Sequence, residues 1–151
     1  LKKISSNFID ADILEIGSGL KKRNASAVEI FSKAREFQQT DVDVNLGYKI
    51  LDLTNIESFN KEYDLVICTN VLEHIYDVRT AVKNLYKLVK KEGNLIISVP
   101  FMYPLHDEPE DFWRFTEHSL KKLFENFEII TLKKTGLRQL PLQYIMHLKK
   151  L

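Results

Sequence analysis

Residues 100–116 carry the greatest density of chemically capable side chains in the chain. They hold its only tryptophan, Trp113, together with Phe101, Phe112, Phe115, Tyr103, His106, four acids and Arg114. A histidine titrates near neutral pH and can take a proton from an acceptor, and aromatic faces beside carboxylates suit sugars. Long structured connections of this kind often carry function. Plainer readings stand beside that one. Asp111 and Arg114 can pair to hold the loop, with Phe112, Trp113 and Phe115 packed beneath. Thr116 reads as the N-cap of a following helix. His106 with Asp107, Glu108 and Asp111 offers metal donors, but contiguous loop acids usually face solvent, so no metal is expected.

A second group surrounds Glu15-Ile16-Gly17-Ser18-Gly19. Glycines at a strand end allow a tight turn and let a ligand approach backbone N–H groups. An ordinary strand-to-helix turn has the same look. A dinucleotide loop calls for a third glycine at position 22, where this chain has Lys22 after Lys21 and before Arg23. That disfavours NAD or FAD, and the absence of a Gly-Lys-Ser/Thr ending disfavours ATP and GTP. Asp41 and Asp43 follow Gly19 by 22 and 24 positions. On one strand they would face the same way, and either carboxylate could accept two ribose hydroxyls. Asp52-Leu53 closes a later strand, or the aspartate simply forms a turn. Asn70 ends the strand after that. Glu73 fits a solvated first helical turn, and His74 fits a packing role.

Three of these stretches, taken together, resemble class I S-adenosylmethionine-dependent methyltransferases. Glu15-x-Gly17-x-Gly19 is similar to the family's first motif, and Asp64 through Leu72-Glu73-His74 is similar to the fourth-strand segment of its small-molecule branch. The run His106-Asp107…Asp111-Phe112-Trp113-Arg114-Phe115-Thr116 resembles a bacterial subgroup often encoded with surface-glycan genes. The likeness spans residues 11–130. It implies S-adenosylmethionine as cofactor, held by Glu15, Gly17, Ser18, Gly19, Asp41 or Asp43, Asp52, Leu53 and Asn70, with Leu53 against the adenine. It also implies an acceptor wall of Tyr103, Trp113 and Arg114, with His106 and Asp111 as the catalytic pair. The expected acceptor is a small molecule or glycan precursor. No Asn-Pro-Pro-Tyr follows the fourth strand, which tells against methylation of a base or an amide. A non-catalytic binding module of the same fold and a nucleotide-dependent oxidoreductase are the alternatives.

The elements that must position these residues alternate between strand-like and helix-like, so the expected fold is α/β, a doubly wound, mostly parallel sheet. Strands are expected over residues 11–16, 37–44, 48–53, 63–69, 94–99 and 128–133. Ala27, Ile30, Phe31 and Ala34 share one helical face, as do Ala81, Leu85, Leu88 and Val89. Gly93 is expected as the left-handed cap of that second helix, and a third helix is expected over 119–127. Residues 137–151 read as helical, interrupted by Pro141, so the family's closing strand is expected to be missing or altered. The chain has 151 residues, 44% of them apolar and 28% charged, with a net charge of +1. That fits one domain with a real core and no nucleic-acid track. The nearly apolar stretch 95–105 is too short to span a bilayer. A single cysteine, Cys68, suits a reducing, cytoplasmic setting. The chain opens on Leu1 rather than Met, so its ends are expected to be trimmed.

Overall fold

The computed structural model describes residues 1–20 and 27–151. The basic patch at Lys21, Lys22 and Arg23 lies outside the described residues. Seven strands of the described chain form one sheet: β1 (Asp12–Ile16), β2 (Glu36–Asp41), β3 (Lys49–Ile50), β4 (Tyr63–Thr69), β5 (Val89–Pro100), β6 (Phe127–Gly136) and β7 (Pro141–Lys150). Their order is β3-β2-β1-β4-β5-β7-β6. The five strands from β3 to β5 pair in parallel, while β7 runs antiparallel between β5 and β6.

Alternate residues of the central strands feed two cores. Leu14, Val66, Cys68, Leu95 and Ile97 pack with the inner faces of α2 (Val78–Leu88) and α3 (Glu117–Leu123). Ile13, Leu65, Ile67 and Ile96 meet Phe8, Ala27 and Phe31 on the other face, where the short α1 (Ala27–Ile30) lies. Such two-sided burial is why YDLVICT reads as an unbroken apolar run. Asp77 caps α2 and Thr116 caps α3, the latter in a reciprocal capping box with Ser119, as the capping preference of threonine anticipates. Among the described residues no helix is long and apolar enough to cross a membrane.

Two expectations are corrected. Residues 137–151 are not helical, and the closing strand is present. In β7, Tyr144, Met146 and Leu148 are buried in alternation with half-buried Ile145 and His147, a period of two instead of 3.6. Pro141 sits at the first position of the strand, where its missing N–H does no harm. Gly93 is not a helix cap either, since α2 stops at Leu88 and β5 begins at once. Tyr63 pairs with Val89 and Leu65 with Asn94, so Lys90–Gly93 bulge out opposite Asp64 alone. Glu92, not Gly93, takes the left-handed backbone. Glycine is still required at 93, because a Cβ there would lie 2.8 Å from the Lys90 carbonyl oxygen.

The bulge delivers Lys90 to the amino edge of the sheet. There its Nζ lies 2.9 Å from Asp64 and 3.4 Å from the buried Asp12. Arg35 grips Asp12 through two hydrogen bonds and Lys61 stands nearby. The Arg35 hydrogen bond holds the Asp12 carboxyl well below the usual carboxylate range, against the opposing effect of burial. A lowered folded-state value stabilises above the unfolded carboxylate's titration and is lost as pH falls. Asp12→Asn should therefore lower the urea midpoint at pH 7. The gap to the parent should narrow below about pH 4, near the free carboxylate's own titration. Urea melts across that range check the sign.

Candidate active site

β1 and β4 are neighbours, and the helices that follow them, α1 and α2, lie on opposite faces of the sheet. Open α/β sheets place ligands at the carboxyl edge of such a switch point. The three central strands end level there, with Ile16 paired to Cys68 and Thr69 to Ser98. A cleft of about 1040 Å³ opens above them. Its floor comes from Gly17–Leu20 after β1 and from Thr69, Asn70, Glu73 and His74 after β4. Met102, Tyr103, Pro104, His106 and Asp107 form one wall, and Leu142 and Gln143 of β7 close it.

The glycine turn is built by hydrogen bonds. Gly17 and Gly19 both have positive φ. Ser18 N donates to Thr40 O, Gly19 N donates to Asp41 Oδ2 at 2.9 Å, and Ser18 Oγ donates to buried Glu15 Oε2 at 3.0 Å. Gln39 Nε2 donates to the same Glu15 oxygen. Glu15 therefore braces the turn from below. The two glycines differ in their surroundings. A Cβ at 17 would come within 2.4 Å of Val71 Cγ2, whereas one at 19 would meet nothing within 4 Å among the described residues.

The expected cofactor residues divide. Gly17, Ser18, Gly19 and Asn70 line the cleft. Asn70 adopts the left-handed backbone and accepts from Ser98 Oγ, a conformation asparagine tolerates. Asp41 ends β2, buried, with one oxygen on Gly19 N and the other on Asp43 N. Asp43 does not share its strand. It is exposed and caps a 3₁₀ turn over Val44–Leu46 through Asn45 N. Asp52 is an exposed turn former bonded to Thr54, and Leu53 is sealed in the core at 1% exposure, away from the cleft.

The expected acceptor residues divide as well. Tyr103 and His106 face the cleft, whereas Asp111, Trp113 and Arg114 do not line it. Asp111 and Arg114 form a bidentate clasp, Nη1 to Oδ1 at 2.6 Å and Nη2 to Oδ2 at 2.8 Å. Arg114 also donates to the carbonyls of Tyr103, Pro104 and Trp113. This guanidinium holds the Asp111 carboxyl well below the usual carboxylate range. Asp111 touches the cleft-lining His106, whose backbone N–H donates to Oδ2 at 3.0 Å and whose Nδ1 lies 3.2 Å from it. Trp113 stacks on Tyr76, and its Nε1 donates to Ile75 O. It packs the loop down instead of presenting a face to the cleft.

Glu73 is the residue whose surroundings sequence could not reveal. It is not solvated but fully buried, and among the described residues neither carboxylate oxygen has a hydrogen-bond partner. Burial pushes its carboxyl up from the usual range. Its backbone carbonyl accepts from Phe112 N and Trp113 N, which staples the long loop to the exit of β4. His74 continues the seam, with Nδ1 on Glu110 O at 2.7 Å, and its ring meets His106 edge-on at 4.8 Å between centroids. The apolar helix-like context of Leu72-Glu73-His74 gave no signal of this, because the burying residues come from some 40 positions downstream.

Comparison with known proteins identifies the family and the fold. Residues 5–132 match the sequence model of the Methyltransferase domain family, and the chain belongs to that family. It is 34% identical over 112 residues to a ubiquinone biosynthesis O-methyltransferase of Rickettsia bellii, covering 65% of this chain and 47% of that protein. The chain thus spans about half the length of the ubiquinone biosynthesis O-methyltransferases it matches. A S-adenosylmethionine-dependent methyltransferase from Clostridium acetobutylicum shares the fold with a TM-score of 0.75 at 13% identity, over 99% of this chain and 87% of that one. The N-methyltransferase NodS of Bradyrhizobium japonicum, solved with S-adenosyl-L-homocysteine, gives 0.73 at 15% identity, over 99% and 83%. These likenesses establish the class I methyltransferase fold, closing strand included.

Two outcomes follow from the packing. Arg114→Ala strips the bidentate partner from Asp111, whose side chain is 1% exposed, and leaves it only the His106 contacts. It should cost roughly 1.5–3 kcal/mol, the worth of hydrogen bonds to a charged group, read as a lower thermal midpoint. Gly17→Ala should lower the midpoint more than Gly19→Ala, since only the former must also displace Val71. Thermal melts of the two variants side by side check the order.

Proposed function

We propose that the protein transfers a methyl group from S-adenosylmethionine to a small-molecule, sugar-like acceptor such as a glycan precursor, in a cytoplasmic setting and within one domain. The observation that carries this reading is the cleft at the switch point, with the glycine turn on its floor and Tyr103 and His106 on its wall. The residues fit the cofactor. Among the described residues the space beside Gly19 is open, residues 17–20 line the cleft, and Asn70 borders it. Gly17, Ser18, Gly19 and Asn70 would hold the methionine end, with Glu15 holding the turn in shape. For the ribose, the hydrogen bond between Gly19 N and Asp41 supports Asp41 over the exposed Asp43. Asp52 would approach the adenine, while Leu53 contributes to the core beneath.

When bound, the sulfonium supplies an activated methyl and its own leaving group. The chain's work is then to align the acceptor and exclude water. Tyr103 offers a ring edge-on to His106, at 5.0 Å between centroids, against which a small acceptor can lie. The carbonyls of Pro104 and Glu110, which can only accept, face the Nδ1 atoms of His106 and His74 respectively. In the neutral rings each Nδ1 therefore carries the hydrogen, and Nε2 of His106 is left to meet the acceptor. Asp111, Arg114 and Trp113 position the loop that carries it.

Calorimetric titration with S-adenosylmethionine, S-adenosylhomocysteine and NADPH tests the reading. Binding of the first two and not the third is expected, and a folded sample that binds neither sulfur compound overturns it. Asp41→Ala should weaken S-adenosylhomocysteine by roughly 1.5–3 kcal/mol, the worth of hydrogen bonds to a charged group, and Asp43→Ala by much less. Equal losses in both, with unchanged melts, remove the ribose assignment.

A further inference from the structure

We infer that Glu73, His74 and His106 form a three-ligand site for a divalent first-row transition ion, which holds a hydroxyl oxygen of the acceptor. One ligand atom from each residue lies within 4.8 Å of the others. These are not the loop acids that the sequence suggested as donors, since Asp107 and Glu108 take no part and Asp111 is spent on Arg114. Three independent features point to an ion. The first is Glu73, 0% exposed, bordering the cleft with both oxygens unpartnered among the described residues. Buried carboxylates are normally hydrogen-bonded, paired with a cation or bound to a metal.

The second feature is the tautomer of both histidines. A backbone carbonyl faces each Nδ1, at 2.7 Å for His74 and 3.2 Å for His106, so each neutral ring keeps its lone pair on Nε2. Asp111 adds a carboxylate behind His106 Nδ1. Outer partners on the far nitrogen are the arrangement that orients metal-binding imidazoles. The third is spacing. Ligand atoms about 2.0–2.2 Å from a shared ion stand roughly 3.3 Å apart. Glu73 Oε1 and His106 Nε2 are already at 3.9 Å, so a contraction of well under an ångström brings that pair together.

Two imidazoles and one carboxylate are the donor set of open zinc and non-haem iron sites, whereas magnesium and calcium prefer all-oxygen surroundings. Three protein ligands leave at least one coordination position, and it faces the cleft. An acceptor hydroxyl bound there becomes more acidic. It releases its proton to solvent and keeps the oxygen electron pair, and His106 serves as ligand instead of taking the proton itself. The ion site rests on the geometry alone, while its role toward an acceptor rests on the methyltransferase reading.

The test titrates chelator-stripped protein with Zn²⁺, and in parallel with Co²⁺ followed by visible absorption, with Mg²⁺ as the competing hard ion and no cofactor present. One Zn²⁺ and one spectrally active Co²⁺ per chain are expected, undisturbed by Mg²⁺. Glu73→Gln and His74→Gln should each weaken Zn²⁺ by more than the roughly 10–100-fold that follows loss of an outer partner. His118→Gln, on α3, should leave it unchanged. Melts of the variants separate lost ligation from lost folding. If the folded parent binds no ion, or if both ligand variants bind as the parent does, the site is overturned. A separate S-adenosylhomocysteine titration keeps the two readings apart: the cofactor bound without an ion sinks only the ion site, and an ion bound without the cofactor sinks only the methyltransferase reading.

Discussion

Everything in this protein is constrained by strands that are covered on both faces. Ile13, Leu14, Leu65, Val66, Ile67, Cys68 and Leu95 are all sealed from solvent, because a parallel sheet needs helices or loops on each side. Polar chemistry is left only the two strand-end edges. The amino edge holds Asp12 and Asp64 with Arg35, Lys61 and Lys90. The carboxyl edge holds the glycine turn, Asn70, Glu73 and the two histidines. The order β2-β1-β4 makes that second edge a crevice and not a flat rim, and β7 extends its wall with Leu142 and Gln143.

The wall over the crevice is held chiefly by polar bonds. Asp111 alone receives two donors from Arg114 and the backbone N–H of His106. Arg114 turns back onto three loop carbonyls, and Glu73 O, Ile75 O and Glu110 O tie the loop to the β4 exit. The direction in which His106 points thus depends on residues that never reach the cleft. A loop with half-exposed Phe112 and Trp113 gains too little apolar burial to fix itself, so this network supplies the order.

The central strands, the glycine turn and the Thr116 cap are legible in sequence because each is encoded locally. YDLVICT is a two-faced run, and Thr116 and Ser119 cap within one turn. Where the sequence misled, long-range structure had decided. The alternation Tyr144, Met146, Leu148 is a strand pattern, but apolar Ile145 on the opposite face and exposed Leu142 mask it. Gly93 followed two lysines and a glutamate as a helix cap does, yet only a bulge opposite Asp64 explains it. The spacing of Asp41 and Asp43 implied one shared face, but β2 ends between them. Asp111, Trp113 and Arg114 lie in the loop that walls the cleft, and their side chains hold it together.

The two edges treat their buried carboxylates in opposite ways. Asp12 is met by Arg35, Lys61 and Lys90, and the outcome is a carboxylate stabilised in its charged form. A fold that can surround one buried acid with three cations has no difficulty satisfying another. At Glu73 it places two imidazole rings near the carboxylate, directs both Nδ1 atoms away to carbonyls, and among the described residues leaves the oxygens without a hydrogen-bond donor. An unpartnered buried polar group costs stability, and burial shifts this one against its charge. Asp12 and Asp111 show charge neutralised for structure. Glu73 shows charge held back at the cleft, where strain of this kind is useful to a site that must still bind something.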